Sequence, residues 1–313
     1  MPKKANILFE KGSLRETLRR TAEHALSIGA LIPIPTEFDF IDDAGVKFFV
    51  RVLTGLARKD EERKQRRQQA KAGIRVNPFL PYEKELFVAD VSETHVAILN
   101  KFNVVERHLL IITREFDDQQ SLLNLADFQA LWACLSEYES LGFYNGGEEA
   151  GASQSHKHLQ VVPLPLAAEG PQIPLEPLLA TAVFKEALGT MPALPFLHVL
   201  ARLAPGIVKS SADAARRSFA LYGEMLRYVK MKAPVGDKQE KQSAPYCLLV
   251  TREWMLLVPR SQEFFEGISI NSLGYVGALL VRNKEQMAIL KKCGPMEALK
   301  SVALPLEKEV SKR

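Results

Sequence analysis

The 313-residue chain has only three cysteines, Cys134, Cys247 and Cys293, far apart and in no CxxC pair. That argues against a disulfide framework or a zinc knuckle and fits a reducing, cytoplasmic setting. No stretch reaches the ~18 consecutive apolar residues of a membrane helix. Residues 1–12 hold lysines but no apolar run long enough for a signal peptide. A net charge of +4 is too small to mark a nucleic-acid binder. Histidine is also sparse, six in all, yet two of the six stand two residues apart. The rest is ordinary: 47% hydrophobic and 25% charged residues suffice for one large core or two smaller ones. The little net charge there is concentrates in residues 58–75, where eight Lys/Arg face three Asp/Glu. Such a run is either a solvated helix or loop, or a basic lip that attracts a polyanion.

The histidine pair lies in Gly151-Ala152-Ser153-Gln154-Ser155-His156-Lys157-His158-Leu159-Gln160-Val161-Val162-Pro163, the stretch around which the chain is organised. Small residues lead into a β-strand that Pro163 ends by removing a ladder donor. Alternate strand residues share a face, so His156, His158 and Gln160 point one way and Lys157, Leu159 and Val161 the other. Gly151 would let the backbone approach a ligand closely. Three readings fit. One is a half-buried strand with hydrogen-bonded histidines. Another is a His-x-His metal site, for which Gln is a poor third ligand and no Cys, Asp or Glu has ligand spacing. The third is nucleophilic attack on phosphorus, with flanking groups holding phosphate oxygens.

Around this stretch the pattern predicts helices over residues 14–29, opened by a Ser13…Glu16 capping box, over 122–144, and over 213–231. Strands are predicted over 46–53, 86–91, 95–103 and 108–113, with the last two forming a hairpin. Residues 30–45 read as a loop with an irregular strand, 77–82 as a break in regular structure, and the proline-rich 163–195 as a surface excursion. A second hairpin, 245–250 and 255–260, repeats the plan of the first. After it, 270–282 puts small and apolar residues where the first half has its histidines. His24, His108 and His198 read as packing or solvated side chains.

His156-Lys157-His158-Leu159-Gln160 resembles the His-x-His-x-Gln signature of the nucleotidyltransferase branch of the histidine-triad superfamily. With Asn145-Gly146-Gly147 before it, Leu99-Asn100-Lys101-Phe102 upstream and Val161-Val162-Pro163-Leu164-Pro165 behind, it is similar to the diadenosine tetraphosphate phosphorylases (ATP adenylyltransferases). Ser155 stands where many relatives carry proline. The resemblance implies an α+β fold: a histidine-triad-like antiparallel half-barrel with a degenerate second half. It divides the chain into a catalytic half, residues 1–165, and a C-terminal half, 166–313.

What the resemblance implies chemically can be stated residue by residue. His158 is the nucleophile and becomes a nucleotidyl-histidine, and His156 supports its tautomer and orientation. Gln160 holds a phosphate oxygen where hydrolases of the superfamily carry a third histidine. An amide cannot act as a general acid at neutral pH, and a leaving polyphosphate needs none. Asn100, Lys101, Asn145, Gly151, Ala152, Ser153, Gln154, Asn271 and Arg282 are expected around the nucleotide and its phosphates. Lys101 and the backbone amides of 151–154 would neutralise charge. No organic cofactor or protein metal site is implied, although a divalent cation such as Mg2+ is compatible; Glu148 and Glu149 read as solvated. The expected partners are a dinucleoside polyphosphate, phosphate, ADP and ATP, with no membrane and no nucleic acid. Two alternatives stand beside this: a hexose-1-phosphate nucleotidyltransferase of the same superfamily, and a non-catalytic nucleotide or RNA binder.

Overall fold

A computed structural model describes residues 6–54, 77–235 and 240–306; the basic segment 58–75 lies outside them. Helix α1, Leu14–Ser27, buries Leu14, Leu18, Ala22 and Ala25, the apolar positions that recur at helical spacing. Its start departs from the expected capping box. Ser13 Oγ donates to the Glu10 carbonyl, and Glu16 is taken by Arg19. The N–H groups of Gly12 and Leu14 donate instead to the Glu137 carboxylate, a partner no local pattern contains.

β1 (Thr36–Asp43) and β2 (Val46–Leu53) form a regular antiparallel hairpin where an irregular strand was expected. Ala44 and Gly45 both have positive φ, 49° and 79°, as a type I′ turn requires. Ala44 is a poor advertisement for that turn. β3 (Phe87–Asp90), β4 (His95–Leu99) and β5 (Leu109–Thr113) follow as read.

The single helix expected over 122–144 is two elements: α2, Leu125–Leu135, and β6, Ser140–Gly146. Asn124 is the N-cap of α2, and Asp127 is the reciprocal member of its capping box. Every residue of β6 is buried, so it lacks the polar face whose period would separate strand from helix. Gly142 lets α2 rest on it: a Cβ there would meet Leu131 Cδ1 at 2.7 Å.

The remaining elements are β7 (His158–Pro163), α3 (Glu176–Leu179), β8 (Val183–Lys185), β9 (Leu188–Thr190), β10 (Val199–Arg202) and α4 (Ser211–Tyr228). After them come β11 (Tyr246–Val250), β12 (Trp254–Pro259), β13 (Phe264–Phe265), β14 (Ile268–Ser269), β15 (Ala278–Val281), α5 (Lys284–Cys293) and α6 (Pro295–Val302). The fold is mixed α+β around one large antiparallel sheet, in the order β3-β4-β5-β7-β6-β11-β12-β10-β9-β8. β6 pairs with β11, so the sheet runs through both halves of the chain.

Helices α1, α2 and α4 cover one face, over a core that includes Leu159, Val161, Trp132 and Leu248. The other face carries a three-stranded sheet, β1-β2-β15, with α5 and α6. Residues 163–195 are not a surface excursion: Leu166, Ile173, Leu175, Met191 and Leu194 are buried in that second core. Nor does 270–282 take the place of a second signature strand. It ends in β15, which pairs parallel with β2 in the small sheet. A short apolar run fits any buried strand, and only the tertiary fold chooses its neighbour. His198 is structural, accepting from Met191 N–H and donating to the Phe196 carbonyl. Among the described residues, no helix is long and apolar enough to cross a membrane.

Candidate active site

His158 opens β7 and lies opposite Ile112 of β5. Its Nδ1–H donates to the carbonyl of His156 at 2.8 Å, which leaves the ring lone pair on Nε2. The side chain is 4% exposed. Burial, reinforced by the neighbouring His156, lowers its pKa from 6.5 to about 4 against the upward pull of that carbonyl. The ring is therefore neutral at pH 7 and presents one fixed nucleophilic nitrogen.

His156 holds the His158 ring through its backbone carbonyl. The His156 ring is turned away, its Nε2–H donating to the Thr113 carbonyl at 3.0 Å and its Nδ1 accepting from Asn77 Nδ2 at 2.9 Å. Phe79 lies edge-on to both imidazoles, with centroids at 5.8 Å from His156 and 5.2 Å from His158. It belongs to a small cluster with Val96, Ile98, Leu110 and Ile112 on the histidine face of the sheet. Gln160 shares that face, between Leu110 of β5 and Phe143 of β6.

Lys157 points to the opposite side, as alternation requires, and there it is 0% exposed. Its ammonium lies 2.6 Å from Asp117 Oδ2 and 3.1 Å from Asp127 Oδ2, and also donates to the Leu122 carbonyl. Asp127 Oδ1 is in turn 3.0 Å from His95 Nε2. Burial opposes both charges, yet Lys157 is shifted up by the two carboxylates and Asp127 is held down at about 2, chiefly by Lys157. The same strap that supplies Asp117 also supplies Gln119. Gln119 Oε1 accepts the backbone N–H of His158 at 2.8 Å, and its Nε2 donates to the Asn145 carbonyl at 2.8 Å.

The predicted binding residues divide into those the fold gathers and those it does not. Asn145 is 2% exposed, and its Oδ1 accepts from Ser272 N–H at 3.0 Å and Ser272 Oγ at 2.6 Å. This latch brings Asn271 onto the loop before the histidines. Gly151, at φ +89°, has no room for a side chain: a Cβ would lie 2.8 Å from Asn271 Cβ and 3.1 Å from the Ile270 carbonyl. Protein packing by itself thus requires the glycine. Two of the four loop amides expected to meet phosphate are spent locally, Gly151 N–H on the Glu148 carbonyl and Ala152 N–H on the Gly147 carbonyl. Ala152 is buried, Ser153 exposed and Gln154 half-buried.

Lys101 and Asn100 stand apart from His158. Asn100 lies opposite His108, beyond the Leu99–Leu109 pair, which corresponds to four positions along β7 from His158, or about 13 Å at strand rise. Lys101 pairs with Glu83 at 2.7 Å, and Asn100 Nδ2 meets His108 Nδ1 at 3.2 Å. Arg282 is exposed just past the end of β15, and its backbone N–H donates to Gln286 Oε1. Glu148 and Glu149 are exposed. Among the described residues, no three His, Cys, Asp or Glu side chains gather as metal ligands.

Sequence reasoning missed Asn77, Phe79, Asp117, Gln119 and Asp127. Asn77-Pro78-Phe79 was legible only as a turn, and Asp117-Asp118-Gln119-Gln120 looks like any polar loop. Asp127 sits inside a helical pattern, where nothing local points to Lys157.

A family model described as the Ap4A phosphorylase N-terminal domain matches residues 4–181, and one for the ATP adenylyltransferase C-terminal domain matches residues 192–305. Diadenosine 5',5'''-P1,P4-tetraphosphate phosphorylase 2 of Saccharomyces cerevisiae is 27% identical over 265 residues, covering 77% of this chain and 78% of that protein. Protein APA1 of the same yeast is 25% identical, covering 62% of this chain and 63% of its own. The crystal structure of yeast Ap4A phosphorylase Apa2 superposes with a TM-score of 0.75 at 23% identity, covering 95% of this chain and 99% of that one. Apa2 has also been solved in complex with Ap4A and with AMP.

Proposed function

The chain belongs to the Ap4A phosphorylase family of nucleotidyltransferases, and from that premise we propose that it converts diadenosine tetraphosphate and phosphate to ADP and ATP. The observation that carries this reading is the Nδ1–H bond from His158 to the His156 carbonyl, which aims a neutral Nε2 lone pair. Nε2 attacks the α-phosphorus of one adenylate; the Nε2–P bond forms, the P–O bond to the polyphosphate breaks, and ATP leaves. The His156 carbonyl stabilises the positive charge that develops on the ring. A phosphate oxygen then attacks the same phosphorus, releases the imidazole and leaves as ADP.

Gln160 supports the choice of phosphate over water, because an amide offers no proton relay to activate water, whereas phosphate arrives as an anion. Asn145, joined to His158 through Gln119, and Asn271, packed on Gly151, would meet the reacting phosphates together with Ser153 and Gln154. Asn100 and Lys101, farther along the same sheet, would meet the nucleotide, with Lys101 neutralising charge on its phosphates. A divalent ion would be carried mainly by the ligand's own phosphate oxygens. Cytoplasmic residence without membrane or nucleic-acid partners fits the same reading.

The test is product analysis on diadenosine tetraphosphate. Without phosphate, AMP should stay on the protein; with it, ADP and ATP should appear in equal amounts, and labelled phosphate should enter only the β position of ADP. Steady release of free AMP without phosphate would show a hydrolase instead.

A further inference from the structure

The β6–β7 ladder is regular up to the Phe143–Gln160 pair and then opens, at the step where Asn145 would face His158. In an antiparallel ladder, pairs two residues apart have the same bonding pattern. The next rung should therefore run from His158 N–H to the Asn145 carbonyl. Instead the carboxamide of Gln119 fills the gap, accepting the first group and donating to the second, each at 2.8 Å. It is 2% exposed, and its Nε2 lies 3.4 Å from the His158 carbonyl as well.

We infer that Gln119 is a positioning residue, a side-chain peptide mimic that wedges β6 from β7 and fixes the backbone from which the His158 ring projects. The inference rests on His158 being the nucleophile. The wedge is itself held from three sides. Gln119 N–H donates to the Ser155 carbonyl at 2.8 Å, and Tyr144 Oη donates to the Gln119 carbonyl. Lys157 N–H donates to the Asp117 carbonyl at 2.7 Å. That last N–H belongs to the peptide unit whose carbonyl takes the His158 Nδ1–H. The strap 117–119 thus grips both ends of the geometry that aims Nε2, without touching a ligand.

Gln119→Met keeps the volume and loses both bonds. Single-turnover adenylylation should slow about 10- to 100-fold, the scale of a small misplacement of a reacting group, while the Kd for AMP changes less than about threefold on the same scale. In 15N NMR of the histidines, the wild type should show His158 as the Nδ1–H tautomer, and the variant a mixture. Gln119→Glu adds a second reading, because a protonated carboxyl again offers one donor and one acceptor. Its rate should recover from pH 8 towards pH 5, whereas the wild-type rate stays flat. The charged and titratable groups around it are Asp117 and Asp118 on the strap, His156 and Lys157 just before β7, His158 at its start, and Tyr144 on β6. Wild-type adenylylation and an unmixed tautomer in Gln119→Met would overturn the inference. So would equal losses of rate and AMP affinity. A wild-type protein that takes up no covalent adenylate would overturn the proposed reaction instead, and the tautomer measurement would still decide the role of Gln119.

Discussion

At the scale of single residues, the two histidines of one motif do different work through different atoms. His158→Ala removes Nε2 and should abolish both turnover and the acid-labile AMP adduct. His156→Ala keeps the backbone carbonyl that fixes the His158 tautomer. It loses only a ring bound to Thr113 and Asn77, so a reduced but measurable rate should survive. Labelled AMP on the His158→Ala protein would assign the nucleophile elsewhere. The lowered pKa of His158 sets the pH behaviour. Its folded value, about 4, lies below the ordinary 6.5, so between these values the unfolded chain binds more protons. The stabilising contribution is full above pH 6.5 and is lost as pH falls towards 4. The same shift keeps Nε2 unprotonated, so the acid limb of adenylylation kcat/KM should fall near pH 4 and not 6.5. A limb at the ordinary histidine value would show that water reaches the ring.

At the scale of elements, β7 and the residue that leads into it carry two chemistries. One face of the strand presents His158 and Gln160; on the opposite side Lys157, just before the strand, is buried against Asp117 of the strap and Asp127 of α2. Removing one partner of such a cluster leaves uncompensated buried charge. Lys157→Met should therefore cost about 3–5 kcal/mol in urea unfolding. The cost should be greatest at neutral pH. Asp127 is held at about 2, so its stabilising contribution is full above its ordinary 3.8 and is lost as pH falls through about 2. A Lys157→Met protein as stable as the wild type would mean that Asp117 and Asp127 find other partners. Adenylylation should slow as well, because the strap that Lys157 grips carries Gln119.

At the scale of the whole molecule, the C-terminal half reaches the site through buried struts. Arg260, 1% exposed, donates to the carbonyls of Val302, Ile270 and Gln262. It thereby anchors the residue just before Asn271. Ser272 is then latched to Asn145, and Asn271 lies on Gly151. Gly151→Ala would force a Cβ into Asn271 at a φ of +89°. It should destabilise the protein by about 1–3 kcal/mol and raise KM by displacing Asn271, as thermal unfolding with parallel kinetics would show. An unchanged melting temperature would mean that the two segments move apart without cost.

The sequence by itself determined the nucleophile strand, the alternation that separates His158 from Lys157, the first hairpin, and most of α1 and α4. These rest on short-range periodicity and on one dense motif, both written within a few residues. It did not determine that 140–146 is a strand, because a run buried on every side has no polar face to give it a period. It could not show that Glu137 caps α1, that Gln119 stands between β6 and β7, or that Gly151 yields to Asn271. Each of those pairs residues far apart in the chain through a single polar contact or a single missing Cβ. Such contacts have no local signature, and they exist only once the sheet has brought the two halves together.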